Sequence, residues 1–290
     1  MHLCRLLLLC PLLACTRAEV SSAEEHTGKS DSQRIVVLGP STSANLYAMG
    51  QGHRVIGVSD YCTVAEAQET ARIGGLADPS LERIVALKPD LILAQGKIPL
   101  VEQLCAESNI PFHAFTTDTL QQWRDEVSWL GEKLGVTEEA YALSSKMAEG
   151  LASFKIRPEA TPTVLLVIFR SEDEASKIMV AGDRGFLNEL LLAAGGQNVL
   201  RGNERDYFDL NEERLLRAAP DWIIEFNTSA REGERAELNA KALAVWKRDF
   251  PSLPASKSGR IFTLIGEDLL LPGPNMLATA EQMQRFLNVE

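Results

Sequence analysis

Residues 81–93 read LERIVALKPDLIL, and residues 212–224 repeat the pattern as EERLLRAAPDWII. When the two Pro-Asp pairs are aligned, Glu82 falls on Glu213, each seven residues before its proline. Proline stops a helix, so each copy predicts a short helix before Pro-Asp, and the apolar run that follows predicts a buried strand. Chance remains the alternative, because such units are common in α/β proteins, but other segments of the two halves also correspond.

Length and charge limit the classes of function. A chain of 290 residues has room for two domains of ordinary size. Its net charge of −11 argues against nucleic acid or an anionic membrane surface as the main partner. No apolar run reaches the roughly 18 residues of a membrane helix. A soluble globular protein is therefore expected.

The N-terminus has the pattern of a targeting segment. Arg5 precedes a short apolar run, which predicts a signal peptide over residues 1–14. The sequence Leu-Leu-Ala-Cys before and at Cys15 resembles a bacterial lipobox and predicts lipidation of that cysteine; cleavage after Ala18 is the alternative. The polar residues 15–33 then predict a flexible tether, and either route predicts export.

Two further cysteines bear on the same compartment. Cys62 and Cys105 would remain after loss of the signal peptide, and in an oxidising compartment they could form a disulfide. They fall in different predicted elements of the same half, so the sequence allows this bridge without requiring it.

Strands and helices alternate along the chain, which predicts an α/β fold with mostly parallel sheets. In the first half, strands are expected at 34–38, 55–58, 91–94 and 112–115, with helices at 44–49 and 99–107. In the second half, strands are expected at 163–169, 222–226 and 260–264, with helices at 186–194, 236–245 and 277–287.

Two helices separate these halves. Apolar residues from Leu120 to Leu134 recur at three- and four-residue spacing, and a second stripe begins after Thr137. We therefore predict two Rossmann-like lobes joined by a single long helix. The predicted divisions are a signal peptide (1–14), a tether (15–33), a first lobe (34–118), a helical linker (119–160, with the long helix at 137–155) and a second lobe (161–290).

Catalytic and metal-binding signatures are scarce. The sequence contains no dinucleotide or phosphate-loop motif and no nucleophile elbow. His26, His53 and His113 lack metal-ligand spacing, so no metal site is predicted. Glu82 and Glu213 open helices in different lobes, which suits a docking surface better than an acid/base pair. An exported α/β enzyme, or a scaffold or signalling protein with this fold, is a remote alternative.

Four runs carry a resemblance to a known family: RIVVLGPSTSANLYAMGQGHRVIGVSDYC, RIGGLADPSLERIVALKPDLILAQG, FLNELLLAAGGQNVL and PDWIIE. Together they resemble the substrate-binding proteins of ABC importers for iron–siderophore complexes and vitamin B12, over residues 34–287. The resemblance implies two lobes joined by one rigid helix and a receptor that is not an enzyme. It implies as partners an ABC permease dimer with its ATPase and a small metal chelate.

The resemblance also implies a role for the repeated glutamates. In that family an acidic residue on each lobe docks into arginine pockets of the permease subunits, and those positions match Glu82 and Glu213. Exposed carboxylates can make charge-assisted contacts with arginine. Each glutamate also lies in the first turn of its helix, where its negative charge interacts favourably with the helix dipole. This local role is compatible with docking.

The resemblance places the ligand between the lobes, at the carboxyl ends of strands. The chelate itself is expected to be a ferric siderophore, with a corrinoid such as cobalamin as the alternative. Tyr61 could instead bind the iron of haem. No cofactor, no nucleic acid and a monomer are expected, with membrane contact only through the N-terminal lipid. The expected ligand contacts are Pro40, Ser41, Thr42, Tyr61, Gln95, Gly96, Lys97, Phe169, Arg170, Tyr207, Phe208, Phe226, Asn227, Gly266 and Glu267.

Overall fold

The structure is a computed structural model that describes residues 33–154, 161–202 and 206–288. The predicted signal peptide (1–14), the lipidation site Cys15 and all but the last residue of the tether (15–33) lie outside the described residues. So does Lys155, the predicted end of the joining helix.

The first lobe is built on a five-stranded sheet in which every neighbouring pair is parallel. Parallel strands need crossover connections, and helices supply three of them here. The strand order is β3-β2-β1-β4-β5. The elements are β1 (Ile35–Leu38), α1 (Pro40–Ala48), β2 (Val55–Val58), β3 (Ala71–Arg72), α2 (Leu81–Ala86), β4 (Leu91–Gln95), α3 (Pro99–Ser108) and β5 (Phe112–Phe115).

Apolar residues cover both faces of this sheet, as a parallel sheet requires. Ile35 and Val37 belong to one core cluster, and Val36 and Leu38 belong to another, because successive side chains of a strand point to opposite faces. Cys62 lies in the first cluster and Cys105 in the second. Both thiols are free, so the disulfide that the sequence allowed is absent, since the sheet separates them.

Two helices follow the first sheet, α4 (Leu120–Leu134) and α5 (Thr137–Ala152). A capping box between Thr119 and Gln122 begins α4, and Gly135 ends it in a left-handed conformation with φ of 70°. The two helices pack closely: a Cβ added to Gly131 would lie 2.5 Å from the Cβ of Ala140. Helix α5 is the predicted long joining helix. It ends at Ala152, three residues before its predicted end.

The second lobe has a six-stranded sheet of mixed direction. Its order is β11-β10-β6-β7-β9, with β8 pairing with β6. The strands are β6 (Thr163–Phe169), β7 (Ile178–Ala181), β8 (Gln197–Asn198), β9 (Tyr207–Leu210), β10 (Trp222–Asn227) and β11 (Ile261–Ile265). The helices are α6 (Phe186–Ala193), α7 (Glu212–Ala218), α8 (Arg235–Asp249), α9 (Pro254–Ser258) and α10 (Met276–Leu287).

Strand β7 runs antiparallel to β6 and to β9. The sequence analysis did not predict these two four-residue strands, β7 and β9. Their insertion is the main departure of the second lobe from the plan of the first, and it brings new side chains to the edge of the sheet.

One apolar core cluster continues through both lobes. It contains Ile35 and Leu93 of the first sheet, Trp123 of α4, Leu190 of α6 and Met283 of α10. Helices α4 and α5 therefore join the lobes by burial of apolar surface as well as by chain connection. None of the helices in the described ranges combines the length and apolar character needed to cross a bilayer.

Candidate functional site

The two glutamates of the repeat occupy matching places at the starts of α2 and α7. The Oγ of Ser80 accepts a hydrogen bond from the backbone N–H of Arg83 at 3.4 Å, and the Oδ1 of Asn211 accepts one from that of Arg214 at 2.8 Å. Each capping residue lies two positions before its glutamate. Glu82 and Glu213 are both exposed, which a docking role requires.

The match extends to the next turn of each helix. Ile84 and Leu215 are fully buried, whereas Val85 and Leu216 are 47% and 42% exposed. The buried residue anchors each helix to its lobe. The exposed residue lies three positions after the glutamate, so an apolar side chain accompanies each carboxylate on the surface.

The helices differ in one charged residue. Arg217 donates to Glu213 at 2.7 Å, with the two side chains 76% and 81% exposed. The corresponding residue of α2 is Ala86, and among the described residues Glu82 has no ion pair. The two carboxylates thus have the same position but different neighbours.

The residues after β1, which the sequence analysis predicted as ligand contacts, are buried. Helix α1 begins at Pro40 rather than at Ala44, because proline is well suited to the first turn of a helix. Ser41 Oγ donates to the carbonyl of Pro272 in the second lobe at 2.5 Å. Thr42 Oγ1 donates to Glu126 at 2.8 Å, so both hydroxyls contact protein groups.

Glu126 of α4 is the centre of a buried polar cluster. Glu126 is only 2% exposed. Its carboxylate accepts hydrogen bonds from Thr42, from Asn45 Nδ2 at 3.0 Å and from Thr117 Oγ1 at 2.6 Å. Trp123 Nε1 donates to Asn45 Oδ1 at 2.9 Å. Burial raises the pKa of Glu126, and these hydrogen bonds oppose part of that shift. The cluster joins α1 to α4.

Gln95 is the last residue of β4, beside the end of β1, and Gly96 and Lys97 follow it. A Cβ on Gly39 would lie 2.7 Å from the Cβ of Gln95, so this approach requires glycine. The Oε1 of Gln95 is buried without a hydrogen-bond partner among the described residues. Gly96 makes the turn with φ of 77°, and Lys97 is exposed.

Tyr61 is 61% exposed and lies next to a contact between the lobes. Two residues further on, the hydroxyl of Thr63 donates to the carboxylate of Asp268, which also accepts from Asn275 Nδ2 at 2.6 Å. Glu267 precedes Asp268 and is exposed, and Gly266 is partly buried. The structure therefore brings predicted residues from each lobe, Tyr61 and Glu267, to either side of one interlobe contact.

The second lobe presents an apolar strip, defined here as Phe169, Met179 and Tyr207. These side chains are 59%, 38% and 44% exposed. Phe169 pairs with Met179, and Ala181 pairs with Tyr207. Because alternate residues of a strand share a face, Met179 and Tyr207 lie on one face of the sheet, with the buried Ala181 between them. Sequence reasoning missed Met179, since strand β7 was not predicted.

Tyr207 is also close to the first lobe. Its pKa is raised to about 12, because burial and the negative charges of Asp206 and Asp118 disfavour the phenolate. The carbonyl of Asp118 accepts a hydrogen bond from the N–H of Phe186 at 2.7 Å, which fixes this loop of the first lobe against α6. The Tyr207 phenol therefore remains protonated at neutral pH.

Phe208 and Phe226 are placed differently from the exposed contacts that were expected. Phe208 is 9% exposed, in the core on the other face of the sheet, where the guanidinium of Arg214 lies 4.8 Å from its ring centre. Phe226 is 8% exposed and belongs to the shared core. The alternation of strand side chains separates Tyr207 from Phe208, which the sequence analysis had grouped together.

Arg170 is held by an ion pair within its own lobe. Its Nε donates to Glu225 at 2.5 Å, and the side chains are 9% and 12% exposed. Its Nη1 donates to the carbonyls of Ser171 and Glu172, and Trp246 Nε1 donates to Glu225 at 2.6 Å. The guanidinium thus already has acceptors, which weakens its expected role toward an anionic chelate.

Phe169 and Arg170, with Phe226 and Asn227, line a cavity of about 370 Å³ at the carboxyl ends of β6 and β10. All of its lining residues come from the second lobe. Asn227 Oδ1 accepts hydrogen bonds from the N–H groups of Ser229 and Ala230, at 3.0 and 2.9 Å. This side chain therefore forms a turn.

The described histidines contribute no metal site. His113 stacks on Trp129 with ring centres 4.1 Å apart, and burial together with the charge of Lys133 lowers its pKa. Within the described ranges, no group of three His, Cys, Asp or Glu side chains is arranged to hold a metal ion.

Comparison with known proteins identifies relatives over most of the chain. The family described as "Periplasmic binding protein" matches residues 35–266. A vitamin B12-binding protein of Vibrio parahaemolyticus is 25% identical over 262 residues, covering 89% of this chain and 90% of the relative. The high-affinity heme uptake system protein IsdE of Staphylococcus aureus is 25% identical over 229 residues, covering 75% and 74%.

Solved structures show the same fold. The periplasmic heme binding protein HutB of Vibrio cholerae superposes with a TM-score of 0.75 at 18% identity, covering 89% of this chain and 99% of that one.

Proposed function

Because the chain belongs to the periplasmic binding protein family, it is the substrate-binding receptor of an ABC importer, and we propose that it captures a corrinoid of the vitamin B12 class between its lobes. Members of this family are transport proteins rather than enzymes. The observation that carries the choice of ligand is the apolar strip of Phe169, Met179 and Tyr207, with Tyr61 exposed on the other lobe. A flat macrocycle offers apolar faces to such side chains.

The siderophore hypothesis from the sequence has less support than the corrinoid hypothesis. Of the expected ligand contacts, Arg170 and Lys97 are the cations that would suit an anionic chelate. Arg170 is paired with Glu225 and nearly buried, which leaves Lys97 as the exposed cation of the two. Breaking a buried ion pair to bind a ligand would be costly. A less charged ligand is therefore favoured.

Haem is the second candidate, and Tyr61 is the observation that favours it. An exposed phenol beside the interlobe contact could bind ferric iron, as tyrosine does in some haem proteins. A relative named for heme uptake supports this alternative. Tyr207 is less suited to this role, because its raised pKa keeps the phenol protonated.

Titration calorimetry with cyanocobalamin, hemin and a ferric tris-catecholate tests the ligand class. We expect cyanocobalamin to bind, and we expect Tyr61→Ala or Tyr207→Ala to weaken its binding about tenfold, because each removes an aromatic contact. Tyr141→Ala is the matched control, since Tyr141 is 76% exposed on α5. Tyr61→Phe keeps the ring and should leave cobalamin affinity unchanged. Hemin binding that loses its iron–phenolate absorbance band in Tyr61→Phe would instead assign haem.

Docking to the permease is assigned to Glu82 and Glu213. Three features support it: both carboxylates are exposed, both occupy the same position in a repeated helix, and both have an exposed apolar neighbour. Single exposed ion pairs contribute only about 0–1 kcal/mol. Docking therefore requires both glutamates together with contacts of their exposed apolar neighbours, Val85 and Leu216.

We also propose that the exported chain is anchored through a lipid on Cys15. The lipobox pattern in the sequence supports this. Cys15→Ser should move the protein from the membrane fraction to the soluble fraction. Retention of this variant in the membrane would contradict lipidation at Cys15.

A further inference from the structure

Beside Glu213, the second lobe has a basic hollow that the docking glutamates do not explain. The hollow has a volume of about 390 Å³, and its charged lining residues are Arg201, Arg214, Arg217 and Glu213. Three guanidinium groups thus face one carboxylate, in a chain whose net charge is −11. Val199, Leu200, Asn211 and Ala218 complete its lining.

The arginines of the basic hollow are available to a partner. All three residues are exposed. Arg217 pairs with Glu213 across one helical turn, an exposed contact that is weak and easily exchanged. Arg214 lies over the ring of Phe208, which orients its guanidinium. Among the described residues, Glu213 is the acidic side chain with which any of the three is paired.

The first lobe lacks the equivalent surface. Ala86 occupies the position of Arg217, and the guanidinium of Arg83 donates to the carbonyl of Arg72 at 3.2 Å. A partner that meets both helices therefore meets an isolated carboxylate on one lobe and a mixed group of charges on the other. The repeat alone would predict the same charged surface around Glu82 and Glu213. The basic hollow therefore indicates a contact specific to the second lobe.

We propose that the basic hollow of Arg201, Arg214 and Arg217 receives an acidic side chain of the permease when the second lobe docks. This rests on the docking function proposed above. Glu213 then exchanges Arg217 for a cation of the permease, while the released guanidinium binds a permease carboxylate. Arginine suits this role because its planar fork binds a carboxylate through two hydrogen bonds.

A permease side chain fits the observations better than a free anion does. The guanidinium groups are solvated and screened by salt, so a small anion would be held weakly. A carboxylate carried on the permease arrives together with the contacts of Glu213 and Leu216. A lipid headgroup is the other source of negative charge at a membrane surface, and the experiment separates the two.

Binding of the purified chain to the permease–ATPase complex, held in phosphatidylcholine nanodiscs, tests the proposal. We expect Arg201→Gln/Arg217→Gln to bind about tenfold more weakly and with a shallower salt dependence, because charged contacts at an interface rim govern both. Lys146→Gln/Lys247→Gln is the control: it also removes two positive charges, from exposed positions on α5 and α8, and should bind as wild type does. Thermal melting checks that each variant is folded.

Three results would overturn the proposal. If Arg217 only masks Glu213, the double variant will bind the permease as tightly as wild type or more tightly. If lipid is the partner, wild type will bind vesicles containing phosphatidylglycerol. The double variant will then lose its binding to the vesicles and keep its affinity for the permease. If wild-type protein does not bind the permease at all, the docking function itself fails, and this result differs from a failure confined to the arginine variants.

Discussion

The two lobes keep one part of a common plan and differ in another. Helices α2 and α7 agree in their caps, their glutamates and their buried and exposed apolar residues. The sheet edges do not agree. The first lobe follows β1 with the buried Ser41 and Thr42, whereas the second adds the antiparallel strands β7 and β9 and exposes Phe169, Met179 and Tyr207.

This contrast separates two kinds of surface. If the proposed roles hold, the parts that would meet the permease subunits are retained in both lobes, while the parts that would meet opposite sides of one ligand have diverged. Two carboxylates are largely buried beside these surfaces, Glu126 on α4 and Glu225 on β10. Glu126 is held by neutral donors, and Glu225 is held by Arg170 and Trp246.

The largest effect is expected from removing both docking carboxylates. Glu82→Ala/Glu213→Ala should reduce uptake in a transport assay by about a hundredfold or more and leave ligand affinity unchanged, because both charges lie outside the apolar strip. Glu212→Ala, a neighbouring exposed carboxylate on α7, is the control. If the double variant loses ligand affinity, the glutamates belong to the ligand site. The proposal that they dock to the permease would then be wrong.

The buried carboxylates should respond differently to the same substitution. Glu225→Gln leaves the nearly buried Arg170 without its counter-charge and should destabilise the fold by about 3 kcal/mol. Glu126→Gln keeps an acceptor for its hydroxyl and amide donors and should cost less than about 1 kcal/mol. Urea unfolding measures both, and equal costs would contradict the distinction.

The pH dependence of Glu126→Gln sharpens that comparison. A raised pKa means that the folded state holds this proton more tightly than the unfolded state does. The stability from Glu126 is therefore complete below the ordinary pKa of 4.5 and is lost as the pH rises through the folded value. The melting temperature of Glu126→Gln should rise relative to that of wild type between pH 4.5 and neutrality. A difference that stays constant with pH would be inconsistent with a raised pKa of Glu126.

The smallest effect is expected at Tyr207 in the absence of ligand. Its pKa of about 12 lies above the ordinary value of 10, so its phenol should ionise late in an alkaline titration followed by tyrosinate absorbance. The raised value also means that its contribution to stability is lost as the pH rises above 10. Tyr207→Phe should remove that late step alone, and a step that remains would belong to another tyrosine.

Sequence patterns predicted the α/β fold, the strands β1, β4, β6 and β10, and the repeated helices, because those features depend on local periodicity and proline. They did not predict the antiparallel strands β7 and β9, because the pairing of β7 with β6 and of β9 with β7 is set by the tertiary fold. They also grouped Tyr207 with Phe208, although alternation along β9 sends one outward and the other into the core.

Long-range partners were beyond local reasoning. The candidate role of Arg170 changed because Glu225 lies 55 residues away in the chain, and the hydroxyl of Thr42 is occupied by a carboxylate 84 residues away. Nothing in the neighbourhood of either residue in the sequence indicates such a partner. Which polar side chains remain available to a ligand is a property of the folded sheet edges.

The apolar core that continues from the first sheet through α4 and α5 to α10 has a thermodynamic consequence. Neither lobe can expose its share of that core without disturbing the other, so thermal unfolding should occur as one cooperative transition rather than two. Any small molecule bound to the native state alone, even one that touched a single lobe, would raise the melting temperature of the whole chain.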